Sequence, residues 1–73
     1  MRDPDRIDAV LTLLREVWEL EPDLRLGQLI FNAARIRQPS LCDVFWIEDG
    51  DLCKGLERHR ELIIQNKRDD AKL

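Results

Sequence analysis

Seventy-three residues carrying a formal net charge of −3 set the outer limits: one domain, with a thin core, because a chain this short buries only about 60–65% of the surface it exposes when unfolded. The 44% hydrophobic and 37% charged content argues against intrinsic disorder, and the acidic balance argues against non-specific binding to nucleic acid or membranes. No apolar run approaches the ~20 residues that span a bilayer.

The N-terminal residues Met1-Arg2-Asp3-Pro4-Asp5 have no signal-peptide layout, so the expected location is the bacterial or viral-host cytoplasm. The first helix is expected from Pro4 to about Leu20, with Asp3 as N-cap and Pro4 in the first helical position. Ile7, Val10, Leu11, Leu14, Val17 and Trp18 recur at helical spacing and define one apolar stripe, widened by Leu13 and Leu20. Both Trp18 and Trp46 are expected to be core residues whose indole N–H finds a partner.

Glu21-Pro22-Asp23 ends that helix, because a residue preceding proline disfavours the helical region. Asp23 is then positioned to cap a second helix, Leu24 to Arg37. Leu26, Leu29, Ile30, Ala33 and Ile36 form its main stripe. Gly27, Phe31 and Ala34 form a second stripe beside it. A glycine inside a helix costs ~1 kcal/mol against alanine, and the expectation is that Gly27 and Ala34 admit the backbone of a neighbouring helix. The second helix would then be the central one, packed on two sides.

Gln38-Pro39-Ser40 is a stop. The following "LCDVFWI" is too short for a helix of ordinary length, and the chain offers no second strand to pair with it. An irregular connection with one helical turn is expected, with Val44, Phe45, Trp46 and Ile47 covering the core. The third helix is expected from about Asp49 to Gln65, its acids Asp49 and Asp51 suiting the positive end of the helix dipole. Glu48 or Asp49 can cap it, and with Glu48 as the cap Ile47 and Leu52 are placed to form a hydrophobic staple. Leu52, Cys53, Leu56, Ile63 and Ile64 are its buried stripe, and Arg60, within that stripe, is expected to lay its stem on apolar surface. The fold class is therefore all-α: a small three-helix domain over residues 1–65, an irregular apolar connection between helices 2 and 3, and a polar C-terminal tail over 66–73.

Trp18, Pro22-Asp23-Leu24, Leu26 with Gln28, then Glu48-Asp49 and Leu52 with Leu56 resemble a family of small bacterial proteins similar to the YihD-type domain of unknown function. The likeness covers most of residues 3–57, and "PDLRLGQLI" with "NAAR" behind it is its most specific part. It implies a small helical cytoplasmic protein. It implies no activity, and no catalytic residue follows from it.

Charge is unevenly distributed. Leu24–Arg37 holds Arg25, Arg35 and Arg37 and no acid, whereas Gln38–Asp51 holds Asp43, Glu48, Asp49 and Asp51 and no base. At 100° per residue, Arg25, Gln28, Asn32 and Arg35 share about a quarter of the second helix, on the side away from its core stripe. They form a candidate binding face, since arginine, glutamine and asparagine bridge phosphates and base edges. The competing readings are a solvated polar face, or pairing with the acids of the connection. Trp46, Ile63 and Ile64 are a candidate apolar interface, because tryptophan is enriched at binding hot spots.

No catalytic constellation emerges. Glu48, Asp49 and Asp51 lack the further oxygen ligands of a calcium loop. His59 is the only histidine, and no serine or cysteine has an evident reason to sit beside it. Cys42 and Cys53, without a C-x-x-C pair, make neither a zinc site nor a disulfide framework. Reduced thiols are expected, and no cofactor or metal. The favoured reading is a non-enzymatic module that binds another protein or itself; the alternative is a nucleic-acid-associated regulator that uses the second helix.

Overall fold

The computed structural model describes residues 3–71, with side chains through Lys67. Three α-helices and one short 3-10 turn follow in order: α1 (Arg6–Leu20), α2 (Leu26–Arg37), the 3-10 turn Val44–Trp46, and α3 (Asp49–Ala71). Among the described residues there is no strand, so the all-α three-helix expectation is met. Met1, Arg2, Lys72 and Leu73 lie outside the described residues, and with them the first residues of the N-terminal reading and the last of the tail.

The start of α1 differs from expectation: Asp5, not Asp3, is its N-cap residue and makes no side-chain cap bond, and Pro4 lies in a turn before the helix. Asp3 acts one step earlier. Its Oδ1 accepts the N–H of Asp5 at 2.9 Å, and Ile7 N–H reaches the Pro4 carbonyl at 3.1 Å, so a tight turn precedes the α-helix proper. The start of α2 also differs from expectation. Arg25, not Asp23, is the extended N-cap residue, and Gln28 Oε1 turns back to accept the Arg25 N–H at 3.0 Å, which is one half of a capping box. At the far end of the molecule α3 runs on to Ala71, past the expected stop at Gln65. Lys67 Nζ donates to the Leu20 carbonyl at 3.2 Å, which ties this extension to the end of α1.

The central helix is α3, not α2. Its principal contacts are with α2 and with α1. The ion pairs Arg6–Asp49 at 2.6 Å and Arg60–Glu16 at 2.7 Å, with the Lys67 bond beyond them, advance in step along both chains, so α1 and α3 run parallel. Arg37 pairs with Asp51 at 3.3 Å, while Ala33 meets Gly55, so α2 and α3 run antiparallel. The shared core is Val17, Leu29, Ala33, Leu56 and Ile63, with Leu13, Leu14, Leu20, Leu24 and Leu52 packed partly against it.

The expected close approach at Gly27 is absent. A Cβ added to Gly27 would meet nothing within 4 Å; the residue is exposed, about 160° around the helix from the buried Leu29 at 100° per residue. Ala34, in the same proposed stripe, is buried. The close approach is made instead by Gly55 of α3. A Cβ there would overlap the Ala33 carbonyl oxygen and lie 2.8 Å from its carbonyl carbon. The absence of a side chain at Gly55 therefore sets the separation of the two helices.

Candidate functional site

Two exposed regions and one buried group hold the residues that sequence reasoning singled out. On α2, Arg25, Gln28, Asn32 and Arg35 are all exposed and share one side of the helix. Two of them have structural tasks. Gln28 caps the helix start through the Arg25 N–H. Arg35 donates from Nε and Nη2 to the Pro39 carbonyl at 3.2 and 2.8 Å, and its guanidinium carbon lies 5.7 Å from the centroid of Phe31. It thereby satisfies a carbonyl just beyond the helix, where a cation also suits the negative end of the dipole. The acid-poor helix and the acid-rich connection are joined through Asp51, which accepts from both Arg37 and Gln38.

The connection carries the most exposed apolar surface. Asp43 Oδ1 accepts the Phe45 N–H at 3.1 Å and holds the Val44–Trp46 turn. Phe45 and Trp46 are 77% and 73% exposed. Their rings pack edge to face, with centroids 4.9 Å apart and planes at 80°. The expectation that this segment covers the core is therefore wrong for these residues. The one-turn geometry points both rings outward, and Leu29 and Leu56 are fully buried without them.

The proposed grouping of Trp46 with Ile63 and Ile64 does not hold. Ile63 is only 4% exposed and belongs to the core, because it follows Leu56 by seven residues on the face of α3 that meets α1 and α2. Ile64 is partly exposed. It lies fifteen helical residues beyond Asp49, about 22 Å along the axis at 1.5 Å per residue, so it forms no patch with Trp46. Phe45 is the residue that does accompany Trp46. Its adjacency in "VFW" was visible in the sequence, but its exposure was not, since an apolar run beside a thin core reads as core.

Trp18 is likewise half-open and not a core residue. Its indole N–H donates to the Leu24 carbonyl at 2.9 Å, so the expected partner is present while one side of the ring faces out. Arg60 joins Glu16 on α1.

His59 is buried. Its Nε2 lies 3.9 Å from Glu21 Oε2, and its Nδ1 has no hydrogen-bond partner. Asp49 lies ten residues earlier on α3, about 15 Å along the axis, and pairs with Arg6, so these groups do not converge. Among the described residues no three histidine, cysteine or acidic side chains gather where a metal ion would fit. Cys42 is exposed and its thiol lies 3.7 Å from the Ser40 carbonyl. Cys53 is half-buried, and burial pushes its thiol pKa up, with the carboxylates of Glu57 and Asp49 adding to the effect.

No family model, curated protein or solved structure matches the chain. The likeness to the YihD-type domain thus rests on the motif residues alone. Among the described residues no helix is long and apolar enough to cross a membrane.

Proposed function

We propose that the chain is a small, non-enzymatic interaction module that binds another protein or a copy of itself in the bacterial cytoplasm. The observation that carries this reading is the Phe45–Trp46 pair. Two large aromatic rings held edge to face on a capped turn, each about three-quarters in water, form an apolar projection that the fold does not use. Aromatic side chains are enriched at the centres of interfaces, and a pre-formed turn lowers the ordering cost of binding.

Photo-crosslinking from position 46 tests the reading. A photoreactive phenylalanine analogue in place of Trp46 is expected to give one defined adduct in the native cell, and Phe45→Ala is expected to abolish it. Because both rings are exposed, Phe45→Ala is expected to leave the unfolding midpoint within about 2 °C of wild type. A diffuse smear of adducts, or an adduct indifferent to Phe45→Ala, would overturn it.

The nucleic-acid reading has less support. Its face is continuous and free of acids, but Arg35 and Gln28 are held in helix-terminal bonds, which leaves Arg25 and Asn32 to make contacts. If that reading were right, Arg25→Ala would weaken binding to duplex DNA or RNA at low salt and reduce the salt slope by about one.

A further inference from the structure

Helix α1 carries two apolar stripes, and the domain uses one. Val10, Leu13, Val17 and Leu20, spaced three, four and three residues apart, face inward; Val17 is fully buried and Leu13 and Leu20 pack on the core. Ile7, Leu11, Leu14 and Trp18, spaced four, three and four apart, form a second stripe turned about 110° outward at 100° per residue. On it Ile7 is 49% and Leu11 55% exposed, and only Leu14 also packs partly on the core. The indole N–H of Trp18 is already bonded to the Leu24 carbonyl, so the ring presents an apolar side outward. Leu11, Leu14, Trp18 and Pro22, with Arg15 and Glu19 at the rim, line an open groove of about 400 Å³.

Alternating spacings of four and three are those of a coiled-coil seam, in which each apolar residue enters a hole on a partner helix. We infer that this outer stripe of α1 pairs antiparallel with the same stripe of a second copy of the chain. The inference rests on the reading of the protein as an interaction module and names the occupant of a second surface.

Charge selects both the occupant and the direction. Asp8 and Arg15 lie seven residues apart on the same flank of the stripe, and both face solvent; Arg15 Nε also holds Glu19 at 2.8 Å in an exposed pair within the helix, and its other N–H groups can reach a partner. In an antiparallel pair about a two-fold axis, Leu11 opposes Leu14 of the second copy and Ile7 opposes Trp18. That register sets Asp8 beside Arg15 of the other copy, and the symmetry repeats the opposite-charge contact at the other end. In a parallel pair Asp8 would instead meet Asp3 of the second copy, a like-charge contact, and Arg15 would meet the apolar Val10. The stripe is therefore self-complementary in one direction only, as an isologous two-fold interface requires. It is also short, about 17 Å from Ile7 to Trp18, so the pairing is weak and concentration-dependent.

Sedimentation equilibrium of the full chain from about 10 μM to 1 mM tests this. The expected result is a monomer–dimer equilibrium with a Kd on the order of 100 μM. Leu11→Glu is expected to raise that Kd at least tenfold while helical content and the unfolding midpoint are retained. At low salt Asp8→Arg should weaken the dimer several-fold, and the swap Asp8→Arg with Arg15→Asp should restore it to within about twofold. A chain that stays monomeric at 1 mM, a dimer indifferent to Leu11→Glu, or a swap that fails to restore affinity would overturn the inference. The Trp46 adduct is read on a different surface. Its survival in a strictly monomeric protein would leave the interaction module standing with self-pairing removed, and loss of both would remove both.

Discussion

Gly27 and Gly55 occupy comparable places in sequence and opposite places in space. Each lies in a helix, each is within two residues of a leucine of the buried core, and neither has a backbone conformation that only glycine can adopt. Gly27 faces open space, whereas Gly55 rests on the carbonyl group of Ala33. What separates them is the neighbour. Gly27 lies on the exposed side of the first turn of α2, opposite the buried Leu29, and Gly55 sits where α2 and α3 cross in contact. A glycine in a helix thus reports a close approach only when it shares an angular position with the core stripe at a depth where a second helix is present.

The largest effect that would sharpen this contrast comes from Gly55→Ala. Alanine gains up to about 1 kcal/mol in helix propensity. The added methyl, however, meets backbone atoms of Ala33 that no side-chain rotation can move. The two helices must separate, opening the contacts of Leu29 and Leu56, so a net loss of about 2–3 kcal/mol is expected. Against a total of roughly 4–11 kcal/mol for a chain this size, that is a large fraction. Urea denaturation would measure it, and an unchanged midpoint would show that the helix separation is not set at Gly55.

Much of the architecture was legible in the sequence, for physical reasons that differ from element to element. The three helices announce themselves through apolar periodicity, and the Gln38-Pro39-Ser40 stop through backbone chemistry that is local, whereas the cap of α1 fell to Asp5 and not to Asp3. Which helix lies in the middle is a tertiary matter. The two stripes on α2 suggested a centre, but Gly55 falls on the face of Leu52, Leu56, His59 and Ile63, and that coincidence was the available sign that α3 takes the crossing. The helical stop after Gln65 was misjudged because polar residues carry no periodic signal, although Lys67 has a carbonyl to reach on α1. In the candidate site, Trp46 could be singled out by type. Its outward direction, and the burial of Ile63, depended on how far the small core extends, which periodicity does not encode.

A second contrast between the packed helix and the exposed connection is chemical. The Cys53 thiol is half-buried and its pKa is raised by burial and then by the carboxylates of Glu57 and Asp49, so little thiolate is present near neutral pH. Cys42 is exposed. Since the thiolate is the nucleophile, a maleimide at pH 7 should label Cys42 at least about tenfold faster than Cys53, as followed by mass spectrometry of the Cys42→Ser and Cys53→Ser variants. Raising the pH toward the elevated pKa of Cys53 should speed its labelling as thiolate forms. Equal rates would mean that the α1–α3 seam opens readily around Cys53.

The smallest expected effect belongs to Gly27→Ala, and its sign is what matters. The position is the second residue of α2, with space for a methyl on every side. Alanine there restricts the unfolded chain and favours the helix, and it disturbs no packing. A mid-helix replacement of this kind is worth about 0.4–1 kcal/mol, and the first turn should yield the lower part of that range. A midpoint raised by a few degrees would confirm that Gly27 holds nothing apart, while in the same protein the same substitution at Gly55 lowers it. A loss of stability at Gly27 would mean that some element approaches the start of α2 after all. The second copy of the chain would then be the first place to look, since Leu26 beside Gly27 is exposed and the loss should disappear under dilution if a dimer contact causes it.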